Sequence, residues 1–224
     1  MKQLPSKKVS VNTFLEKVKQ GAVASWKPAR LIFAMDATAS REHSWDLATQ
    51  LHDELFRTAQ EKDLNVQLVY YRGIFDFQAL TWNSTATELH QTMQMVRCLG
   101  GRTQILRVLT HAYEESLREN VKALAFVGDA CEEDPQELYS IAGRLGLIGV
   151  PVFLFQEGFE SDTAAVFAEI ARRTKGVHIP FSPGSAQAFA ELLSTVAAYA
   201  TGGTAAVNQL KGRFTTRLLE QLQS

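Results

Sequence analysis

The 224-residue chain lacks most of the features that would announce a chemistry. It has two cysteines, Cys98 and Cys131. They are too few for a disulfide framework and lack the paired spacing of a zinc site, so free thiols are expected. No run approaches the roughly 18 to 20 consecutive apolar residues of a membrane span, and "MKQLPSKKVS" is not followed by the apolar segment of a signal peptide. A cytoplasmic protein without a transmembrane segment is the expectation. The sequence contains no G-x-G-x-x-G, G-x-x-x-x-G-K-[ST], H-E-x-x-H or G-x-S-x-G, which removes the nucleotide, metalloprotease and hydrolase sites those patterns build. His43, His52, His90, His111 and His178 show no metal-ligand spacing and read as surface or helix-packing histidines. With a net charge of -1 the chain has no global drive toward nucleic acid, and none is expected as a partner.

What is there is an apolar, unevenly charged chain. At 46% apolar residues it can bury one sizeable core. Residues 1–30 carry seven cations against Glu16 alone, and the last 21 carry three against Glu220. The ends are therefore net +6 and +2, and residues 31–203 are net -9. Either the basic ends dock on the acidic body or they tether the chain to an anionic surface.

Apolar runs rich in β-branched and aromatic residues recur as "RLIFAMD", "VQLVYYRG", "FQALTWN", "KALAFVGD", "PVFLFQEG" and "VHIPFS". Between them lie helical stripes: Leu47, Leu51, Leu55; Ile105, Val108, Leu109, Ala112; Leu138, Ile141, Ala142, Leu145; Val166, Phe167, Ile170, Ala171; and Phe189, Leu192, Leu193, Val196. Near-continuous apolar strands suit a parallel sheet covered on both faces. The expected fold is α/β: a doubly wound, mostly parallel sheet of about six strands, helices on both faces, with one antiparallel edge strand because "RGIFD" is too short for a crossover. Pro28 and "TGGT" at 201–204 suggest a body over 30–202, a basic and helical extension over 1–29 (Val11, Phe14, Leu15, Val18), and a helical tail over 203–224.

In such sheets ligands bind outside the carboxyl ends of the strands. Asp36 ends the first strand in "LIFAMDATAS", with hydroxyls two and four positions on at Thr38 and Ser40. Asp129 ends "ALAFVGD", and Thr103 follows the Gly-rich turn that opens the preceding helix. If the two strands are neighbours, two carboxylates and three hydroxyls converge, a hard oxygen set suited to Mg²⁺ or Mn²⁺ and less to Ca²⁺.

"DATAS", "GGRT" and "FVGD", in this order, resemble the von Willebrand factor A (VWA) domain and its metal-ion-dependent adhesion site. The resemblance spans about residues 30–200. It implies that Thr38 and Ser40 bind the metal directly, that Thr103 is the switchable ligand, and that Asp36 and Asp129 supply charge and orient waters. It further implies a coordination position filled by an Asp or Glu of a partner protein, and an adaptor or scaffold role in multiprotein assemblies, sometimes beside an ATPase. Two departures stand out: Ala130 and Cys131 follow Asp129 where Gly is usual, and Arg41 and Arg102 flank ligands. Either arginine could pair with Asp36 or Asp129, or guide an acidic partner.

Further readings stay open. An acid ending the first strand with Thr two residues on also resembles Mg-dependent phosphatases with an aspartate nucleophile, here Asp36, although that pattern wants an Asp at Thr38. A structural module with a vacant site is another. The run "CEEDP" at 131–135 is either a solvated helix start capped by Asp134 before Pro135 or a charge filter on partners. A redox link between Cys98 and Cys131 is conceivable. Tyr70, Tyr71, Phe75, Phe77 and Trp82 crowd the edge hairpin; alternation makes most of them core, and the rest would form a second contact surface. As loop residues, Asp36 and Thr103 are expected to tolerate alanine without loss of the fold.

Overall fold

Strands buried on both sides need helices on both sides, and this requirement organises the molecule. The computed structural model describes residues 28–42, 45, 64–82, 85–182 and 185–223. The predicted helical stripes at Val11–Val18 and Leu47–Leu55 lie outside them. The strands are β1 Ala29–Asp36, β2 Leu64–Arg72, β3 Asp76–Ala79, β4 Val121–Gly128, β5 Val152–Glu157 and β6 Val177–Phe181. They form one sheet in the order β3-β2-β1-β4-β5-β6. All neighbours are parallel except β2 and β3, which pair as the expected antiparallel hairpin. Its turn opens at Gly73, whose φ of 58° is cheap only for glycine.

The helices are α1 Ala86–Met95, α2 Ile105–Arg118, α3 Pro135–Leu147, α4 Ser161–Thr174, α5 Ala186–Val207 and α6 Arg213–Gln223, with a 3₁₀ turn at Ala39–Arg41. Side chains alternate across β1, so Leu31, Phe33 and Met35 face one way and Ile32 and Ala34 the other. The first set packs with Leu89 and Met93 of α1, Leu192 and Val196 of α5 and Leu218 of α6. The second packs with α2, α3 and α4, through the predicted stripes Ile105–Ala112, Leu138–Leu145 and Val166–Ala171. Gly203, at φ 61° and ψ -156°, kinks α5 within the "TGGT" segment.

The chain leaves β1 toward β2 and β3 at one edge, then returns to β4 on the other flank of β1. The strand order thus reverses between β1 and β4. Their carboxyl ends are the place where an open α/β sheet forms a crevice.

Candidate metal centre

Asp36 closes β1 opposite Tyr71 of β2, the pairing set by the parallel register. Its side chain is fully buried. Oδ1 accepts the Thr38 backbone N–H at 2.7 Å, an Asx-turn that swings the chain out of the strand, and Oδ2 accepts the Tyr71 hydroxyl at 2.9 Å. Burial pushes this carboxyl above the usual carboxylate range, opposed by the hydrogen bonds from Thr38 and Tyr71 and by the Arg41 charge. The Tyr71 phenol is pushed far up, first by its own burial and then by the Asp36 charge. Asp36 is therefore part of the core, against the expectation for a loop residue; the Asx-turn begins inside the sheet rather than beyond it.

The turn sets the two hydroxyls that follow. Thr38 and Ser40 lie 3.2 Å apart, Oγ to Oγ, with Thr38 nearly buried and Ser40 exposed. The loop is pinned on its other side by the Leu99 N–H, which donates to the Ala37 carbonyl at 3.1 Å, and by a bridge between Thr38 and Leu99. That contact joins it to the segment leading to Thr103.

Thr103 is buried ahead of α2. It exchanges two bonds with Glu132: the Thr103 N–H donates to the Glu132 carboxylate at 3.3 Å, and the Glu132 N–H donates to the Thr103 hydroxyl at 3.1 Å. Asp129 follows Gly128 at the end of β4, and Gly128 lies beside Asp36: a Cβ there would stand 3.8 Å from the Asp36 Cβ. The loops carrying Asp36, Thr38 and Ser40, Thr103, and Asp129 are thus joined at one end of the sheet.

Asp129 differs from the others. Its Oδ1 is buried and has no hydrogen-bond partner among the described residues. A buried carboxylate oxygen left unpaired costs roughly 1 to 3 kcal/mol or more, so such an atom usually marks a missing cation or water. The donor set fits a hard divalent cation on this observation. Among the described residues no group of three or more His, Cys, Asp and Glu side chains is placed to share a metal. The candidate set is of another kind, two acids and three hydroxyls.

Sequence reasoning missed several residues that shape the site. Tyr71 holds Asp36 and was visible only as one of two adjacent strand tyrosines. Arg41 is fully buried and pairs across the sheet end with Glu157 of β5, Nη1 to Oε2 3.1 Å, rather than with Asp36 or Asp129. Asp134 caps α3 through the Gln136 N–H, with Pro135 at the first helical position, as expected. Its neighbour Glu133 caps a different helix: the Ile105 and Leu106 N–H groups of α2 donate to it at 2.6 and 2.8 Å. The N-cap of α2, Gln104, makes no side-chain cap of its own, so the acidic run completes that helix from another loop. Cys98 and Cys131 are half-buried and not joined in a disulfide, and burial raises the Cys131 thiol.

No protein-family model and no curated protein sequence matches the chain. Solved structures do. The VWA domain of SpRpn10 superposes with a TM-score of 0.59 at 11% identity, covering 74% of this chain and 94% of that one. An aerotolerance-related membrane protein from Bacteroides fragilis, carrying multiple mutations to serine, gives 0.55 at 15% identity over 74% and 98%. Proximal thread matrix protein 1 from the mussel byssus gives 0.60 at 19% identity over 78% of this chain and 48% of its own. At these identities the likeness is one of fold, and the fold is that of the VWA domain.

Proposed function

We propose that this protein is a metal-dependent protein-interaction module. In this reading Thr38, Ser40, Thr103 and Asp129 hold Mg²⁺ or Mn²⁺, Asp36 shapes the loop and adds charge, and the ion bridges to an Asp or Glu of a partner protein. The observation that carries it is the buried, unpartnered Oδ1 of Asp129 beside loops that set out three hydroxyls. The bound ion would supply an electrophilic centre for a carboxylate to coordinate. This chain's own residues fix the donors: Asp36 turns the first loop, Tyr71 locks Asp36, the Arg41–Glu157 pair clamps the loop to β5, and Glu132 orients Thr103. The VWA fold supports protein binding in general, since a pilus adhesin and the COPII-coat protein Sec24c share it.

The reading is of a binding protein rather than an enzyme. A phosphatase using Asp36 would need its carboxylate open to in-line attack, and here it is fully buried with both oxygens held. No helix among the described residues is long and apolar enough to cross a membrane. The test is calorimetric titration with Mn²⁺ and Mg²⁺. One ion per wild-type chain is expected, with affinity at least about tenfold lower in Ser40→Ala and Asp129→Asn, the scale on which ligand and supporting-shell changes act. Equal binding by wild type and both variants would refute the site.

A further inference from the structure

The β2–β3 turn stands on the same side of the molecule as the candidate centre. Its tip exposes two large apolar side chains, Ile74 at 61% and Phe75 at 84% of full accessibility, with Leu99 beside it at 47%. Single exposed apolar residues are ordinary, but this tip is not a loose loop. The Gly73 N–H donates to the Leu99 carbonyl at 3.4 Å, and the Arg102 N–H donates to the Gly73 carbonyl at 3.2 Å. Gln104 reaches the carbonyls of Arg72, Gly73 and Asp76, each at 3.4 Å, and Arg107 reaches that of Phe75 at 3.1 Å. Packing at the base is so close that a Cβ on Gly101 would sit 2.0 Å from the Gly73 carbonyl oxygen. A backbone fastened by four residues of the 99–107 segment holds an aromatic ring and a branched side chain in water, where they gain nothing for the fold.

The charge around this prong runs against that of the body. Arg72, Arg97, Arg102 and Arg107 border it, whereas residues 31–203 are net -9. The acids nearby are committed inward: Asp76 to Arg72 and Gln78, Glu132 to Thr103, and Glu133 to the start of α2. Arg97 and Arg102 are exposed and have no ion-pair partner among the described residues. Leu99, at the foot of the prong, bridges to Thr38, so the base of the prong is joined to the loop that carries Thr38 and Ser40.

We propose that this surface is a docking site for a protein segment that pairs apolar side chains with flanking acidic ones. Ile74, Phe75 and Leu99 contact the apolar groups, and Arg97 and Arg102 attract the acids. A rigid prong loses little conformational freedom on binding, and aromatic and arginine side chains are those that dominate interface energies. The inference deepens the protein-binding reading by naming the partner's chemistry, and its contacts are separate from the metal.

A random dodecapeptide display library, selected on the full chain in Mg²⁺ and again in EDTA, tests it. Enriched peptides are expected to carry Asp or Glu beside Leu, Ile or Phe. They are expected to bind Phe75→Ser about tenfold or more weakly, and the Arg97→Ser/Arg102→Ser pair several-fold weakly with a shallower salt dependence. Both are surface changes, so the unfolding midpoint should stay within about 2 °C of wild type. Peptides that lose binding to Asp129→Asn but not to Phe75→Ser would uphold the metal bridge and overturn the prong. Peptides selected equally in EDTA that ignore Asp129→Asn but need Phe75 would uphold the prong as a site independent of the metal. No enrichment, peptides without acids, or a wild-type dimer dissociated by Phe75→Ser would overturn the proposal.

Discussion

Two aspartates end adjacent parallel strands, and their surroundings separate them. Asp36 is fully buried with both oxygens engaged, one by the turn it starts and one by Tyr71. Asp129, just past the end of the neighbouring strand, keeps a buried oxygen with no hydrogen-bond partner among the described residues. The same residue type, at the last position of β1 and one residue past the end of β4, thus meets two different surroundings. One organises the backbone of the loop it opens; the other keeps an oxygen available to the cation proposed above.

Substitutions at and around the two positions test this contrast. The largest effect is expected from Asp36→Ala, which strands the buried Tyr71 hydroxyl, frees the turn and leaves a void. It should lower unfolding stability by about 3 kcal/mol in urea denaturation. Tyr71→Phe comes next. It removes one of the two bonds to Asp36 and should cost about 1 to 2 kcal/mol by the same assay. Glu133→Gln keeps its shape and loses the charge that faces the start of α2, so about 0.5 to 1 kcal/mol is expected, measured as a lower denaturation midpoint. The smallest effect belongs to Asp129→Asn in metal-free buffer, within about 0.5 kcal/mol of wild type, because no internal bond depends on its free oxygen. Equal costs for Asp36→Ala and Asp129→Asn would erase the distinction.

The fold was largely legible because its signals are periodic. The apolar strands, the helical stripes of α2, α3 and α4, and the five-residue link too short for a crossover each translate directly into sheet order and layering. The site was legible only as types of atom at strand ends. That Asp36 would sink into the core depended on Tyr71 lying opposite it, a consequence of register that one strand cannot show alone. Glu133 capping a distant helix and Arg41 reaching Glu157 are contacts between loops, for which spacing along the chain carries no signal. The hairpin aromatics divided as alternation requires: Tyr70 and Tyr71 are buried and Phe77 and Trp82 half-buried. Phe75 escaped because the turn at Gly73 points it away from the sheet.

Asp129 and its neighbouring hydroxyls are proposed to hold a divalent cation. The most direct measurement is the thermal unfolding midpoint in EDTA against graded Mg²⁺ and Mn²⁺, for wild type and Asp129→Asn side by side, since the variant should match wild type without metal. A cation present at about a hundred times its dissociation constant stabilises the native state by about 2.7 kcal/mol, roughly 5 to 10 °C for a chain of this size. That rise is expected in wild type and is expected to be absent in Asp129→Asn. No rise at millimolar metal, or the same rise in both proteins, would contradict it.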